Sequence, residues 1–249
     1  MQKPRTYRLD LLNWQEIKKL VPEHINCAIL PIGTIEAHGA TGLGTDSILA
    51  EKISERMAPE LNSIVAPTIN YGITNTLLPY AGSHTVTGES FVSYTMDVMI
   101  GLTDIGFDRI IVMNGHGGQE KELKDLVTDF NKITGAKVIL FQWWYFAADA
   151  VKKIYGSDTE GGHAGLEETA MMIALCEDGT TPELFNKQLM ASPHPGMRAI
   201  PAPGTILAAP DAPSPDFNKE KAKKFAELVI NKLIKISEDT FNSWDEYFD

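Results

Sequence analysis

Cysteine is scarce in this sequence. Only two of the 249 residues are cysteines, Cys27 and Cys176. Two cysteines cannot build the disulfide framework of a small secreted protein or the paired thiolates of a zinc knuckle. We interpret both as small buried hydrophobic side chains and expect the chain to work in a reducing cytoplasm.

Long apolar runs and positive charge are also scarce. No stretch reaches the roughly 20 apolar residues of a membrane span, and the N-terminal segment MQKPRTYRLDLLNW lacks the apolar centre of a secretory signal. Lysine and arginine total 22 against 33 acidic residues, which gives a formal net charge of −11. An acidic surface repels nucleic acids and anionic membranes, so small molecules and proteins are the expected partners.

The chain does contain a regular alternation of apolar runs and segments with the periodicity of amphipathic helices. Continuous apolar runs predict buried strands over residues 25–32, 63–69, 109–113 and 136–142. Helical periodicity predicts helices over residues 46–61, 91–106, 119–134 and 217–241. Strands separated by helices indicate βαβ units, so we expect one layered α/β domain over residues 1–249, around a mostly parallel sheet.

Proline is concentrated in one late segment. Residues 190–216 contain seven of the 14 prolines. Proline has no amide donor, so this density excludes a regular central element. We predict an ordered covering loop. A flexible linker is the alternative, although no segment large enough for a second domain follows.

The end of the first predicted strand carries polar residues with metal-binding groups. Ligands of open parallel sheets bind beyond the carboxyl ends of the strands. Glu36 and His38 follow the first strand, and residues two apart on an extended chain point the same way. A glycine-rich loop then leads to Asp46 at the start of a helix. Taken separately, these residues fit a solvated strand end and a helix N-cap.

The third predicted strand ends in a similar way. Asn114 and His116 lie in NGHGGQ, and GGHAGLEETA later supplies His163, Glu167 and Glu168. Histidines and carboxylates without thiolates are a donor set that suits Zn²⁺, Mn²⁺ or Fe²⁺. The chain offers at least five such side chains, which is more than one catalytic zinc needs. We therefore predict two divalent metal ions that share a carboxylate.

Four motifs resemble the creatininase (creatinine amidohydrolase) family in order and spacing, over nearly the whole chain. They are LPIGTIEAHGATGLGTDSILA, NGHGGQ, HAGLEET and PAPGT at 201–205. The resemblance implies a creatininase-like fold and a metal-dependent hydrolase that cleaves a C–N bond in a cyclic amide or formamide. It also implies a small-molecule substrate and a homo-oligomer, commonly a hexamer.

The resemblance also assigns metal ligands. Glu36, Asp46 and His116 match the ligands of one ion. His38 and Asp46 match two ligands of the second ion, so that Asp46 bridges the two.

The last ligand of the second ion departs from the family pattern. Creatininase has a glutamate two residues after the NGH histidine, where this chain has Gly118. We assign Glu168 as the replacement, with a part in catalysis as well. Helical spacing from His163 favours Glu167 instead.

His163 matches the catalytic histidine of the family, which moves a proton to the leaving group. Creatininase has a glutamate just before this histidine, where this chain has Gly162.

The expected substrate contacts depart from the family pattern too. Trp144 matches one of two tryptophans around the creatinine pocket, and the other falls near Thr159 and is missing. The loop that usually reads PGT is AGSHT here, so Ser83 and His84, together with Tyr71, are predicted to bind substrate. These departures disfavour creatinine as the substrate.

Other functions remain open at this point. The same site could open a cyclic keto compound, such as a keto-cyclitol, at a C–C bond. A non-catalytic protein with this fold is a further alternative. A two-metal phosphatase is disfavoured because the motif loops offer almost no lysine or arginine to hold phosphate.

Overall fold

The computed structural model describes residues 3–159, 161–194 and 197–248. These residues form helices and strands in the predicted alternation. In chain order they are α1 Trp14–Leu20, β1 Cys27–Ile32, α2 Thr45–Met57, β2 Ser63–Val65, α3 Gly88–Ile105, β3 Arg109–Asn114, α4 Glu120–Thr134, β4 Lys137–Gln142, α5 Ala148–Tyr155, α6 Leu166–Leu175, β5 Met190–Ala191, β6 Ile206–Leu207 and α7 Lys219–Tyr247.

The main sheet is parallel and covered on both faces. Its strand order is β2-β1-β3-β4, and every pair is parallel. Ile29 and Ile111 point into an apolar layer with α2, α5, α6 and α7, whereas Leu30 and Val112 point into a second layer with α1, α3 and α4. Each such buried branched side chain contributes about 1.5–3 kcal/mol to stability. The prediction of an α/β domain around a mostly parallel sheet is confirmed.

Several element boundaries differ from the sequence prediction. β2 ends at Val65, short of the predicted residue 69, because Pro67 cannot donate to a sheet ladder. α1 was not predicted, although Asn13 and Glu16 form a capping box that marks its start.

The last helix is longer than predicted. α7 continues past residue 241 to Tyr247. Arg109, at the start of β3, forms an ion pair with Asp245 and lies 5.4 Å from the centre of the Phe241 ring. These contacts anchor the additional turns of the helix on the sheet.

The proline-rich segment packs against the end of the sheet. Its two short strands, β5 and β6, pair in parallel. Leu207 N donates to His163 O at 2.9 Å, and Tyr80 Oη donates to Ala202 O at 2.7 Å. Over its described residues the segment is an ordered cover, as predicted. Pro195 and Gly196 lie outside the described residues.

The structure shows the surroundings of the two cysteines. Cys27 is buried, Cys176 is partly buried, and both are free. Within the described ranges, no helix has the length and apolar character needed to cross a membrane.

Candidate metal centre

The first turn of α2 docks directly onto the ends of β1 and β3, and two glycines make this approach possible. A Cβ on Gly33 would lie 2.3 Å from Ser47 N, and a Cβ on Gly115 would lie 2.1 Å from Asp46 O. Any larger residue at either position would push the helix away. The contact brings Asp46 against the strand ends.

Six side chains with metal-binding atoms converge at this edge. Three overlapping groups each have ligand atoms within 4.8 Å of one another: Glu36, Asp46 and His116; His38, Asp46 and Glu168; and Glu36, His38 and His163. Asp46 joins the first two groups, because its Oδ2 lies 2.9 Å from His116 Nδ1 and its Oδ1 lies 2.8 Å from His38 Nε2. One carboxylate oxygen for each group is the arrangement of a bridging ligand.

Backbone carbonyls fix which ring nitrogen of each histidine faces the centre. Each ring places one nitrogen 2.9–3.0 Å from a carbonyl oxygen: His38 Nδ1 at Glu36, His116 Nε2 at Ile73 and His163 Nε2 at Ala37. A carbonyl only accepts hydrogen bonds, so each of these nitrogens donates an N–H. The other nitrogen of each ring therefore faces the carboxylates, as in metal-binding histidines.

The inward-facing atoms fit a metal ion. Asp46 is 1% exposed and His38 is 2% exposed. Asp46 Oδ2 and His38 Nε2 are buried and have no hydrogen-bond partner among the described residues, despite their short contacts. Buried polar atoms are rarely left in this state unless another group satisfies them. Imidazole nitrogens and carboxylate oxygens around such atoms fit Zn²⁺ or Mn²⁺.

The carboxylates create a negative potential at the centre. Burial alone lowers the pKa of His38, but the charges of Asp46, Glu168 and Glu36 raise it to about 10. The pKa of His116 is also well above its usual value, because nearby carboxylates outweigh its burial. The negative potential that favours a proton on these histidines also attracts a divalent cation to the same place.

Glu168 and Glu167 point to different partners. Glu168 Oε2 lies 3.7 Å from His38 Nε2 and accepts from Ala164 N at 2.6 Å. Glu167 accepts from Gly161 N with both oxygens, at 2.6 and 2.7 Å. α6 begins after the loop that carries the third histidine, so the helical spacing that favoured Glu167 does not apply.

Gly118 is the position at which the resemblance to the creatininase family led us to expect a glutamate ligand. A Cβ here would lie 2.3 Å from His116 Nε2 and 2.7 Å from Ile73 O. These two atoms form the hydrogen bond that orients the His116 ring. A side chain at this position would disrupt that bond, and the second group has the carboxylate of Glu168 instead.

His163 lies beside the centre on the loop before α6. Its ring centroid is 4.3 Å from that of His38, and its Nδ1 is 3.4 Å from Glu36 Oε1. Burial, and then the neighbouring His38, lowers the pKa of His163 to about 4. The preceding Gly162 has a φ of +74°, and a Cβ there would lie 2.4 Å from Leu207 O. The structure therefore has no room for a glutamate before this histidine.

A network of buried amides holds the backbone of His116. Asn114 Oδ1 accepts from His116 N at 3.1 Å and from Gln119 Nε2 at 2.9 Å. Asn114 Nδ2 donates to His116 O and to Gln142 Oε1. The asparagine and glutamine of NGHGGQ are thus structural supports of the histidine between them.

A cavity of about 320 Å³ opens onto this centre. Trp144, one of the predicted substrate contacts, lines it. Several further lining residues were not predicted from the sequence: Asn75, Thr76, Leu77, Gly117, Arg198 and Leu207. The sequence could have indicated Arg198, because it is the only lysine or arginine in the segment 190–216.

Three predicted substrate contacts have other surroundings. Ser83, His84 and Tyr71 are not among the residues that line the cavity. Ser83 Oγ accepts from Ala37 N at 3.0 Å, and the rings of Tyr71 and His84 lie 5.1 Å apart. The Ser83 bond supports the loop that follows β1. A role for the three residues in substrate binding stays a prediction.

The fold and these residue groups define an α/β protein with a candidate dinuclear metal centre. Residues 10–236 match the family model described as "Creatininase: Creatinine amidohydrolase". The chain belongs to the creatininase family, as the four motifs indicated. It is a creatininase-family hydrolase with residue groups that could hold metal ions.

Known relatives carry two different activities in their names. The chain is 25% identical to the creatinine amidohydrolase of Pseudomonas putida over 259 residues, which covers 92% of this chain and 95% of the relative. It is 27% identical to the 3-dehydro-scyllo-inosose hydrolase of Thermotoga maritima over 210 residues, which covers 78% of this chain and 63% of that protein.

Solved structures share the fold. The crystal structure of a creatininase matches with a TM-score of 0.82 and 22% identity, covering 96% of this chain and 99% of the other. Other matched creatininase structures are described as a Zn-Zn type, with a TM-score of 0.80, and as a Mn form, with a TM-score of 0.79.

Proposed function

We propose that this protein is a dinuclear metal-dependent hydrolase that cleaves a C–N bond in a small cyclic amide or formamide. The observation that carries the proposal is the position of Asp46, whose two oxygens face two separate groups of ligand atoms. Asp46 would be shared by two divalent ions, Zn²⁺ or Mn²⁺, with Fe²⁺ also suited to the donors. Glu36 and His116 would hold the first ion, and His38 and Glu168 would hold the second.

When bound, such a pair of ions supplies a nucleophilic water near neutral pH and polarises a carbonyl oxygen. The chain provides the proton transfer. The low pKa of His163 keeps its ring neutral near pH 7, and its Nδ1 faces the centre. Its Nε2–H is held by the Ala37 carbonyl, so Nδ1 carries no proton at the start. We assign to Nδ1 the acceptance of a proton from the attacking water and its transfer to the leaving nitrogen. Trp144 offers an aromatic surface against which a small ring can pack.

The test combines metal content with turnover. The purified protein, supplied with Zn²⁺ or Mn²⁺, should hold about two ions per chain by elemental analysis and should hydrolyse members of a panel of cyclic amides and formamides. Asp46→Asn removes the bridging charge with little change in volume. It should lose both ions and lower kcat/KM by roughly 10³-fold or more.

Asp104→Asn is the matched control, because Asp104 is exposed on α3 and outside the cavity lining. It should retain both ions and full activity. An Asp46→Asn variant with two ions and unchanged turnover would disprove the bridging role.

A second candidate reaction is the hydrolytic opening of a cyclic keto compound at a C–C bond. It is favoured by the similarity to the 3-dehydro-scyllo-inosose hydrolase and by the polar side chains of Asn75 and Thr76 in the cavity lining. Incubation with keto-cyclitols, followed by mass spectrometry, distinguishes the two reactions. Addition of one water to a keto-cyclitol, with no reaction of amides or formamides, would favour the second.

We also propose that the chain acts as a homo-oligomer, a hexamer by resemblance, in a reducing cytoplasm. Exposed apolar side chains such as Trp14 (71%), Tyr94 (59%) and Ile133 (65%) support an assembly, and the two free cysteines support a reducing compartment. Light scattering after size exclusion should give the mass of six chains of 27.4 kDa. A monomer at micromolar concentration would contradict the assembly.

A further inference from the structure

The lining of the cavity has an uneven distribution of charge. Among the residues that the structure describes, it contains four carboxylates, on Glu36, Asp46, Glu167 and Glu168. Arg198, from the proline-rich segment, is the only lysine or arginine among the described lining residues. Its guanidinium is exposed, and it has no hydrogen bond or ion pair with the residues that the structure describes.

The arginine lies where the cavity meets a side pocket. This second pocket has a volume of about 120 Å³, and it shares Thr76, Arg198 and Leu207 with the main cavity. Ser192 contributes a hydroxyl to it, whereas Met197 and Pro193 give it an apolar wall. A molecule with one end at the metal centre can therefore place its other end beside Arg198.

The charge balance leaves Arg198 available to a substrate. Under the proposed function, two divalent ions bring four positive charges, which equal the four negative charges of the lining carboxylates. The single charge of Arg198 then has no counterpart among the described residues of the cavity wall. A cation in this position favours a negatively charged occupant.

We propose that Arg198 is a specificity-determining residue that binds an oxyanion, a carboxylate or a phosphate, carried by the substrate. The planar guanidinium offers paired N–H donors that match two oxygens of such a group. The hydroxyls of Thr76 and Ser192 provide further donors at the same junction. The substrate class is then an anionic small molecule, unlike the neutral creatinine. This inference rests on the proposed metal centre.

Probes that bind the metal ions test the inference by binding alone, without a substrate or a catalytic assay. Hydroxamates chelate divalent ions through two oxygens. Butyrohydroxamate is neutral, succinate monohydroxamate has a similar length and a terminal carboxylate, and phosphonoacetohydroxamate carries a phosphonate. Titration calorimetry on the zinc- or manganese-loaded protein measures the dissociation constant of each probe. The variants are Arg198→Gln and the control Lys187→Gln, which removes an exposed charge that lines neither pocket.

The native protein and Lys187→Gln should bind at least one anionic probe about tenfold tighter than butyrohydroxamate. Arg198→Gln should remove this preference, and added salt should reduce it in the native protein. The better of the two anionic probes identifies the carboxylate or the phosphate as the preferred group.

Other outcomes would overturn the proposal. If butyrohydroxamate binds and the anionic probes bind no tighter, or if Arg198→Gln keeps the preference, the inference is wrong and the metal centre stands. If the protein takes up no metal, or the loaded protein binds none of the three probes, the proposed function is wrong and the role of Arg198 falls with it.

Discussion

His163 is the residue whose contacts allow two roles at the centre. With Glu36 and His38 it forms the third group of ligand atoms, so it could bind an ion. Its Nδ1, which faces the cavity from a loop and is not the nitrogen bonded to the Ala37 carbonyl, could instead accept a proton and pass it on. The two roles predict different effects on metal content.

Replacing His163 with asparagine should separate these roles. If the histidine transfers a proton, the variant keeps about two ions and loses roughly 10²–10⁴-fold in kcat, the range of general acid–base catalysis. Elemental analysis and steady-state kinetics on the same preparation measure both quantities. His194→Asn, at an exposed position, is the control. Loss of one ion from His163→Asn would instead make this residue a ligand.

The two cysteines should differ in reactivity. Burial raises the pKa of Cys27 to about 12, so its thiolate is absent near pH 8 and forms only as the pH approaches that value. Cys176 is partly exposed. Iodoacetamide at pH 8 should therefore label the native chain once, at Cys176, as mass spectrometry can determine. Cys176→Ser should remove the label, and the protein unfolded in guanidinium should be labelled twice.

At the scale of elements, the loop between β3 and α4 supports one side of the centre. Its two adjacent glycines have different surroundings. A Cβ on Gly118 would displace the hydrogen bond between His116 and Ile73, whereas a Cβ on Gly117 would meet only Trp144, at 3.9 Å. The pair offers a matched comparison within one turn.

Gly118→Ala should weaken the centre, and Gly117→Ala should not. The added methyl group at 118 overpacks a site with little free space, which costs about 1–3 kcal/mol of unfolding free energy. Loss of the orienting bond should lower metal affinity by roughly 10–100-fold. Urea unfolding and metal titration measure the two effects. Equal behaviour of the two variants would contradict the orienting role of the carbonyl of Ile73.

The sequence predicts the elements wherever long apolar runs or long helical periods occur, and it predicts the carboxyl ends of β1 and β3 as the site. It could not predict Gly33 and Gly115 as contact points for α2, because that contact depends on how the helix returns to the sheet. It could not place Asn75, Thr76 or Arg198 in the cavity for a similar reason. Loop positions depend on tertiary packing, which local sequence patterns do not encode.

At the scale of the whole molecule, the centre joins segments that are distant in the chain. The loop after β1, the start of α2, the loop after β3 and the start of α6 all contribute atoms within a few ångströms. An ion bound there would cross-link these segments in the folded state only. Metal binding should therefore stabilise the entire domain rather than one loop.

Zn²⁺ or Mn²⁺ should raise the melting temperature relative to protein treated with EDTA. At a free concentration 1,000 times the dissociation constant, one ion adds about 4 kcal/mol. For a domain of this size that corresponds to roughly 8–16 °C. Differential scanning calorimetry measures the shift, and Asp46→Asn, treated identically, should show almost none. An equal shift in both proteins would place the bound metal elsewhere.

The acceptors that orient His38, His116 and His163 are all main-chain carbonyls. A substitution changes a side chain and leaves the carbonyl oxygen of that residue in place. Evolution can therefore replace most residues around the centre without removing the acceptors that set the ring tautomers. The cavity wall, in contrast, is built largely from side chains, so substitutions there change its shape and charge directly.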